Sequence, residues 1–277
     1  MKTDVDNVAA TESTWSDHEV SRQIATEAGR LLVDLRRSTP ESTDERWLRD
    51  QGDARSHRMI MDRLATLRPD DAILSEEGKD DQQRLRHRRV WVIDPLDGTR
   101  EFGEPPRDDW AVHVALCVDG EPVVGSVALP AQGRVLTTAD PFSDAPADSE
   151  PLRMVASRTR APEIVTDVAT ALGADLVYMG SAGAKAMTVV SGDADIYLHA
   201  GGQYEWDSAA PVAVAIAAGL HCSRIDGSPL VYNQPNPYMP DLLICTRSVA
   251  PRVLALLAAR AGSNPAESGN GFGAEGV

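Results

Sequence analysis

The sequence has little that would suit it to a membrane or to an oxidising compartment. Its three cysteines, Cys117, Cys222 and Cys245, are far apart and odd in number, so they form neither a disulfide framework nor a zinc spacing. No run of about 18 apolar residues occurs, and the first 14 residues are polar and acidic, unlike a secretory signal. These absences predict a cytoplasmic protein that has no membrane partner.

Basic residues are also scarce. Lys and Arg number 27 against 42 Asp and Glu, which gives a net charge of −15. Nucleic-acid polymers are therefore not expected as partners, because their binding depends on a basic face that releases counterions. The six histidines form no H-x-x-x-H or H-E-x-x-H pair, so a metal site would use oxygen ligands. Divalent cations between carboxylates and a ligand would still let an acidic protein hold a small phosphate.

The 277 residues, 42% of them hydrophobic, are enough for one or two closely packed domains. Hydrophobic periodicity and capping signals predict helices over 16–36, 54–67, 162–172, 183–191 and 207–219. Strands are predicted over 72–74, 90–93, 110–118, 122–129, 152–156, 175–179, 194–198 and 242–245. Because helices and strands alternate, the predicted fold class is α/β with layered sheets.

A stretch rich in Pro, Asp and Ser, DPFSDAPADSEP at 140–151, predicts the junction between two domains. We expect a mobile N-terminus over 1–14, an N-terminal metal-binding αβ domain over 15–140, a C-terminal αβ domain over 152–261 and a flexible tail over 262–277. The tail contains GNGFG, but no strand precedes it and no helix follows, so it does not indicate a nucleotide loop.

The stretch VWVIDPLDGTREF at 90–102 ends an apolar strand in two aspartates. Pro95 has no N–H, so strand pairing is expected to stop there, and Gly98 permits a turn that other residues resist. Asp94 and Asp97 are thereby held near one point. Each alone would be interpreted as a cap or turn residue.

Two carboxylates after a wholly apolar strand, with the Leu96 carbonyl between them, favour a hard, oxygen-ligated ion. Proline at position 95 argues against the D-x-D-G-T nucleophile of the aspartyl-phosphate phosphatases. Glu76, in SEEG at 75–78, follows another apolar strand, and Asp207, in WDSAA at 206–210, begins an Ala-rich helix. Taken alone, Asp207 is a plain helix cap.

The motifs SEEG, WVIDPLDGT and WDSAA together resemble the magnesium-dependent, lithium-sensitive phosphatase superfamily that includes inositol monophosphatase and fructose-1,6-bisphosphatase, over about residues 18–260. The resemblance implies an alternating α-β-α-β-α sandwich. R-E-F after LDGT and GSAGAKAM at 180–187 resemble the CysQ branch, the 3′(2′),5′-bisphosphate nucleotidases. That branch implies hydrolysis of the 3′-phosphate of 3′-phosphoadenosine 5′-phosphate.

Position by position, the resemblance implies two or three Mg²⁺ ions held by Glu76, Asp94, the Leu96 carbonyl, Asp97 and Asp207. It implies water activation by Asp53 and Thr99, together with Glu76. It implies substrate contacts from Gly98, Thr99, Arg100, Ser157, Arg158, Ser181, Gly183, Lys185 and Asp207, and a homodimer, which is usual in the superfamily. Arg160 is a further candidate for the 5′-phosphate.

Other functions remain possible from the sequence. A broader inositol or sugar phosphatase, acting on inositol 1-phosphate or fructose 1,6-bisphosphate, would share every metal residue. A non-catalytic metal-binding or nucleotide-sensing protein is disfavoured because Asp53 and Thr99 are intact. A serine hydrolase is disfavoured because Met179 stands where G-x-S-x-G requires glycine.

Overall fold

The computed structural model describes residues 14–40, 42–142, 148–159 and 161–263. The expected mobile N-terminus up to residue 13, the tail from residue 264, Arg160 and part of the expected domain junction lie outside the described residues.

The helices alternate with strands along the chain, as predicted. The helices are α1 (Asp17–Ser38), α2 (Glu45–Leu67), α3 (Thr99–Phe102), α4 (Glu163–Leu172), α5 (Ala182–Val190), α6 (Glu205–Ala217) and α7 (Ala250–Ser263). The strands are β1 (Ala72–Ser75), β2 (Arg89–Asp97), β3 (Ala111–Val118), β4 (Glu121–Leu129), β5 (Arg134–Thr137), β6 (Arg153–Ser157), β7 (Asp175–Met179), β8 (Ile196–Tyr204), β9 (His221–Ser223) and β10 (Tyr238–Cys245). Short 3₁₀ helices lie at Gln82–Arg86 and Pro130–Gln132.

The strands form two five-stranded mixed sheets. The first has the order β1-β2-β3-β4-β5, with β1 parallel to β2 and the other neighbours antiparallel. The second has the order β7-β6-β8-β10-β9, with β6 parallel to β7 and β8. Sheets that are apolar on both faces must be covered on both faces, which requires helices between and outside them.

Three hydrophobic clusters show how the layers stack. One joins α1 and α2 to the outer face of the first sheet, and a second joins the inner faces of both sheets to α5 and α6. A third joins the outer face of the second sheet to α4 and α7. The layers therefore alternate α-β-α-β-α, and the expected sandwich is confirmed. The predicted metal ligands lie where the first sheet meets the central helical layer.

Several element boundaries near the site differ from prediction. Helix α6 begins at Glu205 rather than at Asp207, and β8 extends to Tyr204 rather than ending at residue 198. Helix α2 begins at Glu45 rather than at residue 54, because Asp44 caps it by accepting from Arg46 N at 3.1 Å. Its polar first half, which includes Gly52, lacked a clear apolar stripe. Strand β2 runs to Asp97, so pairing does not end at the proline but is only interrupted there. Within the described part of the chain, no helix is long and apolar enough to span a bilayer.

Candidate functional site

A cluster of acidic side chains lies where β2 ends against the first turn of α6. Asp94 and Asp97 belong to β2, and Asp207 belongs to α6. Each offers a carboxylate oxygen, and these oxygens all lie within 4.8 Å of one another. Asp94 is 2% exposed and Asp97 is 6% exposed, so both are largely withdrawn from water. Because like charges repel strongly at such distances, the cluster needs bound protons or a cation.

Glu76 joins the cluster from the neighbouring strand. Parallel pairing of β1 with β2 sets Ser75 beside Ile93, and Glu76 N donates to the Ile93 carbonyl at 3.2 Å. Glu76 and Asp94, the next residues along β1 and β2, therefore lie side by side. The Glu76 carboxyl group lies close enough to that of Asp94 for the charge of Glu76 to raise the pKa of Asp94.

Burial and repulsion between neighbouring carboxylates raise the pKa values of most of these groups. Burial, with the charges of Glu76 and Asp97, raises the pKa of Asp94 well above its usual range. Burial and the charge of Asp97 raise the pKa of Asp207 to about 7, and burial also raises the pKa of Glu76. A divalent cation would relieve this repulsion and lower these pKa values. The set of oxygen donors fits a hard ion such as Mg²⁺.

Asp97 differs from its neighbours because the start of α5 lies against it. Ser181 Oγ donates to Asp97 Oδ2, Ala182 N donates to Oδ1 at 3.1 Å, and Gly183 N donates to Oδ2 at 2.7 Å. His113 Nε2 lies 3.2 Å from the same Oδ2 atom. Burial alone would raise the pKa of Asp97, but His113 and these hydrogen bonds hold it below its usual range. Asp97 is therefore charged and fixed in orientation.

Asp53 and Thr99 lie beside this cluster. Thr99 Oγ1 is 3.0 Å from the Leu96 carbonyl oxygen and 3.5 Å from Asp53 Oδ1. Helix α2 can bring Asp53 this close because Gly52 lacks a side chain, since a Cβ there would lie 2.8 Å from Leu96 Cδ2. Burial and the charges of two nearby glutamates raise the pKa of Asp53 to about 7. Asp53 is thus suited to accept a proton near neutral pH.

The other predicted substrate contacts lie on several elements. Gly98 is the N-cap of α3 with a φ of +82°, a backbone conformation that favours glycine, and Arg100 is exposed in the same short helix. Ser157 ends β6 with its Oγ 3.4 Å from Thr159 Oγ1. Their contacts with substrate stay predictions.

Arg158 connects the second sheet to α3. Its Nε donates to Glu101 Oε1 at 2.5 Å, and its Nη2 donates to Glu104 Oε2 at 2.8 Å. Gly180 makes room for Glu101, because a Cβ at residue 180 would lie 2.2 Å from Glu101 Cδ. The guanidinium group is therefore already ion-paired in this structure, and its contact with a substrate phosphate stays a prediction.

Lys185 lies beneath the turn that leads into α5. It is 4% exposed, and its Nζ donates to the carbonyl oxygens of Gly180 and Ser181, the second at 2.8 Å. Nζ also lies 5.4 Å from the ring centroid of Tyr197, and burial lowers the Lys185 pKa. These contacts support the turn from the inside of the protein. Direct contact between Lys185 and substrate stays a prediction.

The comparisons with known proteins agree with this geometry. The model of the inositol monophosphatase family matches residues 13–261. The chain belongs to the inositol monophosphatase family. A 3′-phosphoadenosine 5′-phosphate phosphatase of Mycobacterium tuberculosis is 49% identical over 241 residues, which cover 84% of this chain and 90% of the relative. The 3′(2′),5′-bisphosphate nucleotidase CysQ of Escherichia coli is 33% identical and covers 65% of this chain and 77% of the relative.

A crystal structure of CysQ from Bacteroides thetaiotaomicron, described as a bacterial member of the inositol monophosphatase family, has the same fold. Its TM-score is 0.67 at 24% sequence identity, and the match covers 84% of this chain and 98% of that chain. As a member of the family, the protein is a phosphatase, and the acidic cluster lies in the residues that the resemblance assigned to metal ions.

Two residues at this site are not among those predicted from the sequence. His113 is fully buried against the carboxylates, and Glu101 is 5% exposed and paired with Arg158. A signal for His113 was present in the sequence, since AVHVALCV at 111–118 places one polar residue inside an apolar strand. No local signal identifies its partners, because they come from other elements.

Proposed function

We propose that this protein is a Mg²⁺-dependent phosphatase that hydrolyses the 3′-phosphate of 3′-phosphoadenosine 5′-phosphate to give AMP and phosphate. The observation that carries the proposal is the cluster of Asp94, Asp97 and Asp207, whose oxygens lie within 4.8 Å of one another in a chain that is 49% identical to a phosphatase named for this substrate.

Five groups would hold the metal ions, namely the carboxylates of Glu76, Asp94, Asp97 and Asp207 and the Leu96 carbonyl. Two ions, with a third near Asp53, would activate water and stabilise negative charge on the leaving oxygen when bound. The protein's own contribution is orientation, because Asp97 is held by three hydrogen-bond donors and cannot turn away from the site. Fixed charges of this kind need no rearrangement during the reaction.

Proton transfer falls to Thr99 and Asp53. The Thr99 hydroxyl lies between the Leu96 carbonyl oxygen and Asp53 Oδ1, so it can accept a hydrogen bond from water while passing its own proton toward Asp53. With a pKa of about 7 in the metal-free protein, Asp53 holds a transferred proton near neutral pH. The N–H groups of Gly98 and Thr99 would bind oxygens of the substrate phosphate.

Specificity must come from groups that touch the rest of the substrate, since the metal site would act on almost any phosphomonoester. Arg100 is exposed next to Thr99, and Arg158 lies on the far side of α3, paired with Glu101 and Glu104. These guanidinium groups are candidates for the 5′-phosphate, which arginine binds with two parallel hydrogen bonds.

The test is phosphate release from 3′-phosphoadenosine 5′-phosphate, inositol 1-phosphate and fructose 1,6-bisphosphate, each measured with Mg²⁺ and with chelator. We expect the highest kcat/KM for the adenosine bisphosphate and no release in chelator. A higher kcat/KM for inositol 1-phosphate would contradict this proposal and support the broader inositol or sugar phosphatase instead. No release from any of the three substrates would favour a binding or sensing protein.

Arg158→Ala separates recognition of the substrate from hydrolysis. We expect it to lower kcat/KM for the adenosine bisphosphate far more than for inositol 1-phosphate. Arg88→Ala, which breaks an exposed pair with Asp119, is the matched control and should change neither value. Equal losses for both substrates would show that Arg158 acts through the fold, by its pairs with Glu101 and Glu104.

We further infer a cytoplasmic homodimer with no nucleic-acid partner, in which an N-terminal metal-binding αβ domain over 15–140 packs closely on a C-terminal αβ domain over 152–261. The support is the net charge of −15, the absence of a membrane-spanning helix among the described residues, and the family resemblance. Sedimentation equilibrium tests the dimer, because a monomer mass at micromolar concentration would contradict it.

A further inference from the structure

His113 is a buried polar residue in an otherwise apolar strand. It is 0% exposed and lies on the face of β3 that packs against α5 and α6, with Ala111 and Ala115 on the same face. Its neighbours Val112 and Val114 point to the opposite face, toward α1 and α2. Burying an imidazole costs free energy unless its nitrogens find partners, so the contacts of His113 carry information.

Both ring nitrogens of His113 face groups of the acidic site. Nδ1 lies 3.0 Å from the Trp206 carbonyl oxygen, and Nε2 lies 3.2 Å from Asp97 Oδ2. A carbonyl oxygen only accepts, so Nδ1 must be the donor in the first contact. Trp206 immediately precedes Asp207. The imidazole therefore spans from one carboxylate of the cluster to the peptide that leads into another.

The start of α5 is shaped to leave room for this ring. A Cβ at residue 183 would lie 2.1 Å from His113 Nε2, so only glycine fits there. Gly183 N and His113 Nε2 both approach Asp97 Oδ2, from α5 and from β3 respectively. Three elements thus meet at one carboxylate oxygen, and His113 also reaches α6 through the Trp206 carbonyl oxygen.

We propose that His113 is a positioning residue of the metal centre, which fixes the carboxylate of Asp97 relative to the start of α6 and hence relative to Asp207. This inference rests on the proposed role of the cluster in metal binding. Carboxylates need not move on binding an ion when such contacts already hold them, and losing such a contact typically lowers metal affinity about 10- to 100-fold.

Metal binding measured by calorimetry with Mn²⁺, in the absence of substrate, tests the proposal. We expect His113→Leu to raise the Kd for Mn²⁺ by about 10- to 100-fold, and His113→Asn, which keeps an amide donor, to cause a smaller rise. Val112→Ala is the control, since it removes buried volume from the same strand on the opposite face. It should lower the unfolding midpoint in chelator and leave the Kd unchanged.

The outcomes separate this inference from the proposed function. If the wild-type protein binds no Mn²⁺, the metal role of the cluster itself is wrong. If the wild type binds Mn²⁺ and His113→Leu binds it with the same Kd, the metal site stands and the positioning role is wrong. If circular dichroism shows that His113→Leu does not fold, the test uses His113→Asn instead. A Kd of His113→Asn for Mn²⁺ equal to that of Val112→Ala would then overturn the proposal.

Discussion

Carboxylate oxygens of Asp97 and Asp207 lie within 4.8 Å of each other although the two residues belong to different layers of the fold. Asp97 ends a strand of the first sheet, and Asp207 lies in the first turn of a helix in the central layer. Helix α6 packs directly on β3 and β4, so closely that a Cβ at Gly125 would lie 2.7 Å from the Ala210 carbonyl oxygen. The acidic centre is therefore assembled by the packing of α6 on the first sheet.

Asp94→Asn is expected to abolish both phosphatase activity and divalent-metal binding. The amide keeps the size of the side chain but removes the negative charge from the most buried carboxylate of the cluster. Asp119→Asn is the control, because Asp119 has a φ of +52°, which asparagine tolerates, and its pair with Arg88 is exposed. Wild-type activity in Asp94→Asn would refute the proposed metal role of this residue.

Asp207→Ala should raise the Mg²⁺ concentration required for half-maximal activity. Its Oδ2 also accepts from Tyr204 N at 2.7 Å, so loss of that cap alone would cost about 0.5–2 kcal/mol of stability. Glu205→Gln separates the two effects. Glu205 is on the same helix and accepts from the N–H groups of Asn233 and Gln234 at 2.6 and 2.7 Å, away from the cluster.

We expect Glu205→Gln to lower stability without changing the Mg²⁺ requirement. An unchanged Mg²⁺ requirement in Asp207→Ala, with only a lower unfolding midpoint, would reduce Asp207 to a helix cap.

In the metal-free protein, Asp53 and Asp207 should contribute stability that is lost as pH rises from about 4 to about 7, whereas His199, whose pKa burial lowers to about 4, acts in the opposite direction. Asp53 and Asp207 have pKa values of about 7 in the folded protein against 3.8 ordinarily, so the folded state binds these protons more tightly than the unfolded state. The stability that these two groups contribute is therefore fully present below the ordinary pKa of 3.8. It is lost as pH rises through the folded-state pKa of about 7. Urea unfolding in chelator at about pH 5 and about pH 8 measures the effect.

Saturating Mg²⁺ should weaken this pH dependence, because the ion stabilises the charged carboxylates. Asp53→Asn should weaken it in chelator as well. An identical pH dependence in Asp53→Asn and in the wild type would contradict the proposed role of the charge cluster.

Gly180→Ala is expected to lower both stability and kcat. The added Cβ would lie 2.2 Å from Glu101 Cδ, so either Glu101 and its partner Arg158 or the turn before α5 must move. The turn carries Ser181, which holds Asp97, so its displacement would disturb the metal centre. Gly262→Ala is the control, since it lies in α7 with no atom within 4 Å and should stabilise by about 0.5–1 kcal/mol. Unchanged kcat in Gly180→Ala would show that this turn does not constrain the site.

The sequence alone predicts the part of the site that is built locally. An apolar strand followed by D-P-L-D-G holds Asp94 and Asp97 near one point through local chain geometry, without a contribution from other segments of the chain. The role of Asp207 could not be predicted in this way, because a single aspartate at a helix start can be a helix cap as well as a metal ligand. Only the resemblance to the phosphatase superfamily identified it as a ligand.

Contacts between layers could not be predicted from local patterns. His113 gains its partners only when α5 and α6 pack on β3, and Arg158 meets Glu101 only when the second sheet lies beside α3. The early start of α2 at Glu45 was not predicted because the first half of this helix is polar and lacks an apolar stripe, although Gly52 within it packs against Leu96.

The central claim is that the carboxylates of Asp94, Asp97 and Asp207 bind divalent ions. Anomalous diffraction from crystals of the protein grown with Mn²⁺ tests it most directly. We expect at least two anomalous peaks within about 2.5 Å of these carboxylate oxygens, and one of these peaks should lie close to oxygens of both Asp94 and either Asp97 or Asp207. Crystals that bind Mn²⁺ elsewhere, or show no peak at this cluster at saturating Mn²⁺, would contradict it.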